Sequence, residues 1–286
     1  PIWITIQQSF SRVKKMKTIG FIGGGNMAEA LIKGILDAKI YSPSQLLVSD
    51  IDSGRLDYLK ECYGVTAAAD NSAAAGRADI LILCVKPQNM EAVLKDIRDV
   101  VSGNKDVTIV SIAAGVTVSK ISSVLDDVSI MRVMPNTPAL IGEGLSGIYC
   151  GGLSGEQSEA VFEIFNAVGT AVRVDSEEMM DAVTAVSGSG PAYFFLMIEE
   201  IIKAAAAAGL EPAVAERMVL QTARGASLLA CGASKDGQRP AELREKVTSP
   251  GGTTEAALKT FEAGGFGELV EKAVAAACKR SRELSN

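Results

Sequence analysis

Gly20-Phe-Ile-Gly-Gly-Gly-Asn-Met-Ala28 is the stretch that decides the N-terminal fold. It separates a short β-rich run from a helical pattern, and its spacing is G-x-G-x-x-A. Gly23 permits a tight turn, Gly25 lets the backbone approach a pyrophosphate, and Ala28 allows the helix to pack closely on the strand. The spacing therefore predicts a dinucleotide-binding loop formed by Gly23, Gly24, Gly25, Asn26 and Met27.

Short β-rich runs alternate with helical stretches from Met16 to about residue 175. We expect strands over 18–22, 45–49, 80–85, 107–111, 128–132, 147–150 and 171–174, with helices over 27–38, 53–62, 89–100, 118–125 and 156–167. This alternation predicts an α/β fold, a Rossmann-like doubly wound sheet over 16–175.

After residue 175 the strand pattern stops and every segment is typical of helix. Helices are expected over 177–186, 191–208, 212–230, 240–247, 253–263 and 266–282, several of them opened by a proline. The sequence thus predicts an all-helical second domain over 176–286. Residues 1–15 are expected to be a leader or extension outside the fold, because their charges follow the apolar residues and Met16 is a natural start.

The composition excludes several classes of protein. A formal charge of −6, without a face dense in lysine and arginine, argues against nucleic acid as a partner. The five cysteines are far apart and form no CxxC pair, which predicts reduced thiols in a cytoplasmic protein with no metal site. The longest uncharged stretch is too short and too interrupted for a membrane span. Because the chain has no histidine, proton transfer must use hydroxyls, carboxylates, lysine or water.

The end of the second predicted strand faces the expected adenosine ribose. Asp50 there would accept hydrogen bonds from the ribose hydroxyls, which favours NAD. Ser49 and Arg55 could instead hold the 2′-phosphate of NADP. Asp50 is equally compatible with a loop or helix-cap role, so the sequence leaves the cofactor preference open.

Two further segments follow strands at the edge where open α/β sheets bind ligands. Val85, Lys86 and Pro87 follow the strand that ends near Cys84, and Ile112, Ala113 and Ala114 follow the next. Small residues and a fixed proline predict a nicotinamide wall that is contacted through the backbone. Lys86 is equally compatible with a solvated loop.

Ser249-Pro-Gly-Gly-Thr-Thr254 forms a turn just before an alanine-rich helix. Pro250 has no N–H, and the two glycines can take positive φ, so the turn can direct free N–H groups at one point. With Thr253 or Thr254 near the helix cap, the turn predicts a site for a small carboxylate or phosphate. An ordinary loop and helix cap is the alternative.

The motifs GFIGGGNMA, CVKPQ, SIAAGVT, RVMPNTPA, AVSGSGPAYFF and TSPGGTTEAALKTFE resemble pyrroline-5-carboxylate reductases from Met16 nearly to the C-terminus. The resemblance implies reduction of 1-pyrroline-5-carboxylate to L-proline with NADP(H), or with NAD(H), in the last step of proline biosynthesis. It implies cofactor contacts from residues 23–27, Ser49, Asn71, 85–87 and 112–114. It also implies a homodimer through the helical domain, with assembly into a decamer common in the family.

The same resemblance assigns the substrate site. It implies a carboxylate clamp from Ser249, Gly252, Thr253 and Thr254, and a hydroxyl of Thr184 near the ring nitrogen. We therefore expect Thr254 or Thr184, or a bound water, to hydrogen-bond that nitrogen. Animal members carry a glutamate near the position of Gly237, whereas this chain offers Asp236 beside it, so that role is not carried over.

The chemistry matches the residues available. A protonated cyclic imine is already an electrophile, so its reduction needs no histidine, metal or nucleophile, only correct positioning.

Two rival functions are compatible with a dinucleotide-binding domain followed by a helical one. One is a 3-hydroxyacid-type dehydrogenase of similar two-domain plan, which requires a base; Lys203 is the candidate on 191–208. The other is a non-catalytic dinucleotide-sensing protein.

Overall fold

A computed structural model of the chain describes residues 18–102, 104, 106–153 and 155–285. The predicted leader over 1–15 lies outside the described residues. The chain divides into two compact units. The first extends to Gly188 and also includes the chain from Ala277 onward, and the second is Ser189–Ala276. The boundary at 175, drawn where the strand pattern ends, remains a prediction about domain organisation.

The first unit contains an eight-stranded sheet of order β3-β2-β1-β4-β5-β6-β7-β8. The strands are β1 Ile19–Ile22, β2 Leu46–Ser49, β3 Thr66–Ala67, β4 Ile80–Leu83, β5 Thr108–Ser111, β6 Ser129–Met134, β7 Gly144–Tyr149 and β8 Gly169–Val174. All neighbours pair in parallel except β6 and β7, which are antiparallel. The predicted α/β class is confirmed, and the seven predicted strands are present with shifted ends.

The central strands are buried on both faces. β1, β2, β4 and β5 bury every residue, as is typical of parallel strands covered by helices on both sides. Successive side chains enter opposite core layers: Ile80 and Ile82 pack in one, Leu81 and Leu83 in the other. The strand order 3-2-1-4 places the loop after β1 at the topological switch point, where such sheets bind ligands.

Within the described part of the first unit, seven α-helices precede the second unit. They are α1 Asn26–Asp37, α2 Ser53–Tyr63, α3 Asn71–Ala75, α4 Met90–Ser102, α5 Val118–Ser122, α6 Glu156–Asn166 and α7 Met179–Val183. The single helix predicted over 177–186 is wrong in detail: α7 starts later, and a π-helix follows it over Thr184–Gly188. Glu177 has its side chain committed to Arg132 and the Val118 N–H, outside the helix.

The second unit is helical, as predicted. It contains α8 Gly190–Ala207, α9 Pro212–Lys235, α10 Pro240–Lys246 and α11 Thr253–Ala263, and α12 Phe266–Ser285 begins in it. Proline stands in the first turn of α8, α9 and α10, where its missing N–H costs nothing. α9 and α12 run beyond their predicted ends. Among the residues described, no helix has both the length and the apolar character needed to cross a membrane.

Candidate active site

The glycine loop connects β1 to α1. Gly23 has a φ of 95°, and a Cβ there would lie 3.1 Å from the Cys84 carbonyl, so both conformation and space require glycine. Gly25 is the N-cap of α1 without any side-chain cap hydrogen bond, and a Cβ built on it would meet no atom within 4 Å. No side chain at this position therefore covers the free N–H groups at the start of the 12-residue helix. Such an arrangement suits a pyrophosphate.

Three predicted cofactor residues lie near the glycine loop, Ser49 and Asp50 at the end of β2 and Asn71 at the start of α3. The Asp50 carboxylate accepts from the Gly24 N–H at 2.6 Å and from the Asp52 N–H at 2.9 Å. Ser49, which is buried, donates to Oδ1 of Asn71 at 2.8 Å. Ser49, Asp50 and Asn71 are thus brought together beside Gly24, with part of the Asp50 hydrogen-bonding capacity already used by the backbone.

Arg55, also predicted as a cofactor residue, is engaged within the protein. Its Nε donates to the Gly24 carbonyl at 2.5 Å, and its guanidinium forms an ion pair with Glu29 and lies over the Tyr58 ring. The Tyr58 and Tyr63 hydroxyls donate to the same Glu29 carboxylate, at 2.9 and 2.8 Å. Sequence reasoning missed Glu29; an acidic residue in the first turn after the glycine loop was the available signal.

The pKa of Glu29 reflects this setting. Burial acts to raise the pKa, but hydrogen bonds from Arg55, Tyr63 and Tyr58 outweigh it and hold the pKa below its usual value. Glu29 is consequently a carboxylate at neutral pH, and it neutralises Arg55.

The predicted nicotinamide wall follows two paired strands. β4 and β5 end in register at Leu83 and Ser111, so residues 85–87 and 112–114 leave the same edge of the sheet. Val85, Ile112 and Ala114 are half-buried and Ala113 is buried, whereas Lys86 and Pro87 are exposed. These segments offer mainly backbone and small apolar groups, as expected. Burial raises the pKa of the Cys84 thiol at the end of β4, so this cysteine is not a reactive thiolate.

The segment that carries Thr184 is anchored to the first unit by polar contacts. The Glu177 carboxylate accepts from Nη1 of Arg132 and from the Val118 N–H, both at 2.7 Å. Asn136 donates to the Ser187 carbonyl at 3.2 Å while its Oδ1 accepts from the Leu145 N–H at 2.9 Å. The sequence motif RVMPNTPA thus supports the Thr184 segment, a role that its composition alone did not reveal.

Thr184 is the first residue of the π-helix and is half-buried. π-Helical turns are frequent at functional sites. The Thr184 hydroxyl donates to the Met180 carbonyl at 2.8 Å. Its oxygen therefore retains the capacity to accept a hydrogen bond from a ligand N–H.

The predicted carboxylate clamp lies at the start of α11 in the second unit. The glycine N–H groups are not free, contrary to the sequence expectation: that of Gly251 donates to Glu255 at 2.7 Å, and that of Gly252 donates to the Ser249 carbonyl at 3.0 Å. Gly252 caps α11 without a side-chain hydrogen bond, which leaves the N–H groups of the first helical turn for an anion. Ser249 and Thr253 are exposed, and Thr254 is half-buried.

Lys203, the candidate base of the hydroxyacid alternative, is held by two carboxylates. Its Nζ lies 2.6 Å from Glu199 and 2.8 Å from Glu200 on the exposed surface of α8. These partners, Glu199 first, raise the pKa of Lys203, so it stays protonated and cannot accept a proton from an alcohol.

Comparison with known proteins finds a family model for each half of the chain. Residues 177–284 match the family described as pyrroline-5-carboxylate reductase dimerisation, and residues 18–115 match an NADP oxidoreductase family described as coenzyme F420-dependent. The pyrroline-5-carboxylate reductase of Synechocystis is 41% identical over 93% of this chain and 97% of its own length. That of Pseudomonas aeruginosa is 43% identical over 93% and 96%.

Solved structures agree. A pyrroline-5-carboxylate reductase from Coxiella burnetii superposes with a TM-score of 0.88 at 38% identity, covering 95% of this chain and 99% of that one. The Plasmodium falciparum enzyme with NADP bound gives 0.81 at 32% identity, covering 95% and 100%. By identity and coverage together, this chain belongs to the pyrroline-5-carboxylate reductase family.

Proposed function

We propose that this NAD(P)-dependent oxidoreductase reduces 1-pyrroline-5-carboxylate to L-proline, the last step of proline biosynthesis. The observation that carries the proposal is the uncapped N-terminus of α11. Gly252 contributes no cap, and the N–H groups of Thr253 and Thr254 belong to a first helical turn that lacks intrahelical acceptors. A small carboxylate fits such an end because the helix dipole and the free donors both favour an anion.

The residues that we predict to bind the cofactor are suited to NAD(P)H. The open backbone at Gly25 and the start of α1 would hold the pyrophosphate, and Ser49, Asp50 and Asn71 would face the adenosine ribose. Residues 85–87 and 112–114 would border the nicotinamide. When bound, NAD(P)H supplies the hydride. The protein's task is to orient the substrate and to exclude water from the reacting atoms.

Proton transfer needs little from the protein. A protonated imine keeps its proton on nitrogen while its carbon accepts the hydride, so no residue has to donate a proton in that step. The Thr184 oxygen can accept a hydrogen bond from the iminium N–H, because its own proton is directed at the Met180 carbonyl. Thr254 would contact the substrate carboxylate, with proton donation to the ring nitrogen as its alternative role.

Assembly and location complete the proposal. The dimerisation match over 177–284 supports self-association through the helical half, the 176–286 domain of the sequence analysis. We extend this to a homodimer that assembles further into a decamer, and to a cytoplasmic location.

The test is oxidation of NADH and of NADPH by the purified protein, followed by absorbance. We expect oxidation with 1-pyrroline-5-carboxylate and formation of proline. Turnover of a 3-hydroxy acid and NAD⁺ in preference to the imine would support the dehydrogenase alternative. Cofactor binding without turnover of either substrate would support the sensing protein.

Two isosteric variants test the hydroxyls. Thr254→Val should raise KM for the imine, and Thr184→Val should lower kcat, each by about tenfold, the value of one hydrogen bond to a charged group. Thr260→Val is the matched control, because Thr260 on α11 makes the same bond to the carbonyl four residues earlier, at 3.0 Å, and is exposed. If both variants matched this control in kcat and KM, the two hydroxyls would have no catalytic role.

A further inference from the structure

Four side chains form a closed network beside the glycine loop, which we name the Glu29 network: Glu29, Arg55, Tyr58 and Tyr63. The Glu29 carboxylate accepts from all three partners. Its ion pair with Arg55 is partly buried, with side chains 20% and 23% exposed. Charge-assisted hydrogen bonds of this kind fix both groups in one geometry.

Gly24 connects this network to the expected adenosine-ribose subsite. Its N–H donates to the Asp50 carboxylate, and its carbonyl accepts from Nε of Arg55. Arg55 thus contacts the same loop residue as Asp50, the side chain expected at the ribose and at any 2′-phosphate on it. The guanidinium that could bind this phosphate already has two acceptors of its own.

The charges at this edge disfavour a phosphate. Asp50 is the side chain placed at the ribose, and Asp52 caps α2 beside it by accepting from the Arg55 N–H at 3.2 Å. Glu29 cancels the positive charge of Arg55. A 2′-phosphate, which carries up to about two negative charges, would meet the carboxylates of Asp50 and Asp52 beside an arginine whose charge is already paired.

We propose that Glu29 is a specificity-determining residue for the cofactor: by holding Arg55 on the Gly24 carbonyl, it makes the ribose subsite favour NADH over NADPH. This inference rests on the proposed function, because it takes the glycine loop to be the NAD(P)H site. It predicts that selectivity changes when the acidic partner is removed, although the Glu29 carboxylate is itself occupied by Arg55, Tyr58 and Tyr63.

The experiment measures binding, independently of turnover. Isothermal titration calorimetry compares 5′-AMP with 2′,5′-ADP, which differ only in the 2′-phosphate, and NAD⁺ with NADP⁺. The wild-type protein should bind the unphosphorylated member of each pair more tightly. Glu29→Gln, which removes the charge at constant size, should shift the affinity ratio about tenfold toward the phosphorylated member, the value of one charge-assisted hydrogen bond.

Arg55→Gln completes a double-mutant cycle. In the wild-type background it should change the ratio less than about threefold, since the Arg55 charge is already paired, and in the Glu29→Gln background it should abolish the gain. The Tyr58→Phe and Tyr63→Phe double variant is the matched control: it removes two hydrogen bonds to Glu29 but keeps the ion pair, so the ratio should not change. Circular dichroism checks that each variant is folded.

Two results would overturn the inference. One is a Glu29→Gln variant with the wild-type ratio. The other, which does not depend on the folding of Glu29→Gln, is a wild-type preference for 2′,5′-ADP that Arg55→Gln alone removes, because Arg55 would then be the phosphate ligand. Absence of nucleotide binding to the wild-type protein would overturn the proposed function as well.

Discussion

The two compact units differ in how far they bury their apolar side chains. In the first unit β1 and β4 are buried at every position, and Phe21 and Phe165 are 0% exposed. In the second unit only Gly190, Ala215 and Val219 are buried among the residues described. There α8 exposes Phe194 and Phe195 at 68% and 62%.

The difference shows where each unit obtains its stability. The sheet and its helices complete their own core within one chain. The second unit consists of helices whose apolar faces are left uncovered in a single chain, and apolar surface of this extent marks an interface. Its match to a dimerisation family supports self-association, and we expect another copy of the chain to cover these faces. We therefore expect the stability of the first unit to depend on internal packing, and that of the second unit to depend on protein concentration.

The largest effect is expected for Phe21→Ala in β1. Removal of a fully buried phenylalanine loses its transfer free energy and leaves a cavity, so the free energy of unfolding should fall by about 3–5 kcal/mol. Guanidinium unfolding of the variant at several protein concentrations measures this loss, which should not depend on concentration. A loss that disappears at high concentration would show that the sheet unit, too, depends on association.

A partly buried ion pair provides the second test. Glu177→Ala leaves the Arg132 guanidinium, 8% exposed, and the Val118 N–H without their acceptor, which should cost about 2–3 kcal/mol. Glu268→Ala in the second unit is the control: its pair with Lys272 is 68% and 69% exposed and should be worth less than about 0.5 kcal/mol. Equal losses of unfolding free energy in the two variants would remove this contrast between the units.

The fold was largely predictable because its signals are long and periodic. The sequence itself contains the pattern of the glycine loop, the apolar runs of the buried strands and the prolines that open the helices. β3 and α3 were missed because two and five residues are too short for a pattern. The antiparallel direction of β7 was not predictable either, since an apolar run has no direction. The π-helix at Thr184 depends on hydrogen-bond register, which side-chain patterns do not encode.

The sequence predicted that several candidate site residues lie close together, but it did not predict the contacts that they make. Ser49, Asp50 and Asn71 do come together, as neighbouring elements of this sheet require. Arg55 has an acceptor on a different helix, Glu29 on α1, and no spacing rule connects positions that far apart. The glycine N–H groups near α11 were expected to be free, but Glu255 and the Ser249 carbonyl take them because the turn satisfies its own donors first.

Phe194→Ala tests whether the exposed apolar side chains of the second unit take part in self-association. Phe194 is 68% exposed in the single chain, so its truncation should leave the helical content unchanged and weaken self-association by about 2 kcal/mol, the size of an interface hot spot. Sedimentation velocity over a dilution series measures this shift. Ile141→Ala is the control, an apolar residue 78% exposed in the first unit. If Phe194→Ala assembled as tightly as that control, α8 would not be at the interface.

The smallest expected effect concerns pH. The pKa of Glu29 is lowered in the folded protein, because hydrogen bonds from Arg55 and the tyrosines outweigh burial. Its contribution to stability is therefore complete above the ordinary carboxyl pKa of about 4.3 and is lost as pH falls through the lowered value. Glu29→Gln should remove this acid-dependent part, about 1 kcal/mol or less for a partly exposed pair, and flatten the dependence of the unfolding free energy on pH below about pH 4.

In the second unit the pKa of Glu255 is also lowered, by Lys259 first and then by the Gly251 N–H, but on an exposed surface. Glu255→Gln should consequently change the acid limb less than Glu29→Gln, and the reverse order in urea titrations between neutral and acid pH would show that electrostatic stabilisation is concentrated in the helical unit.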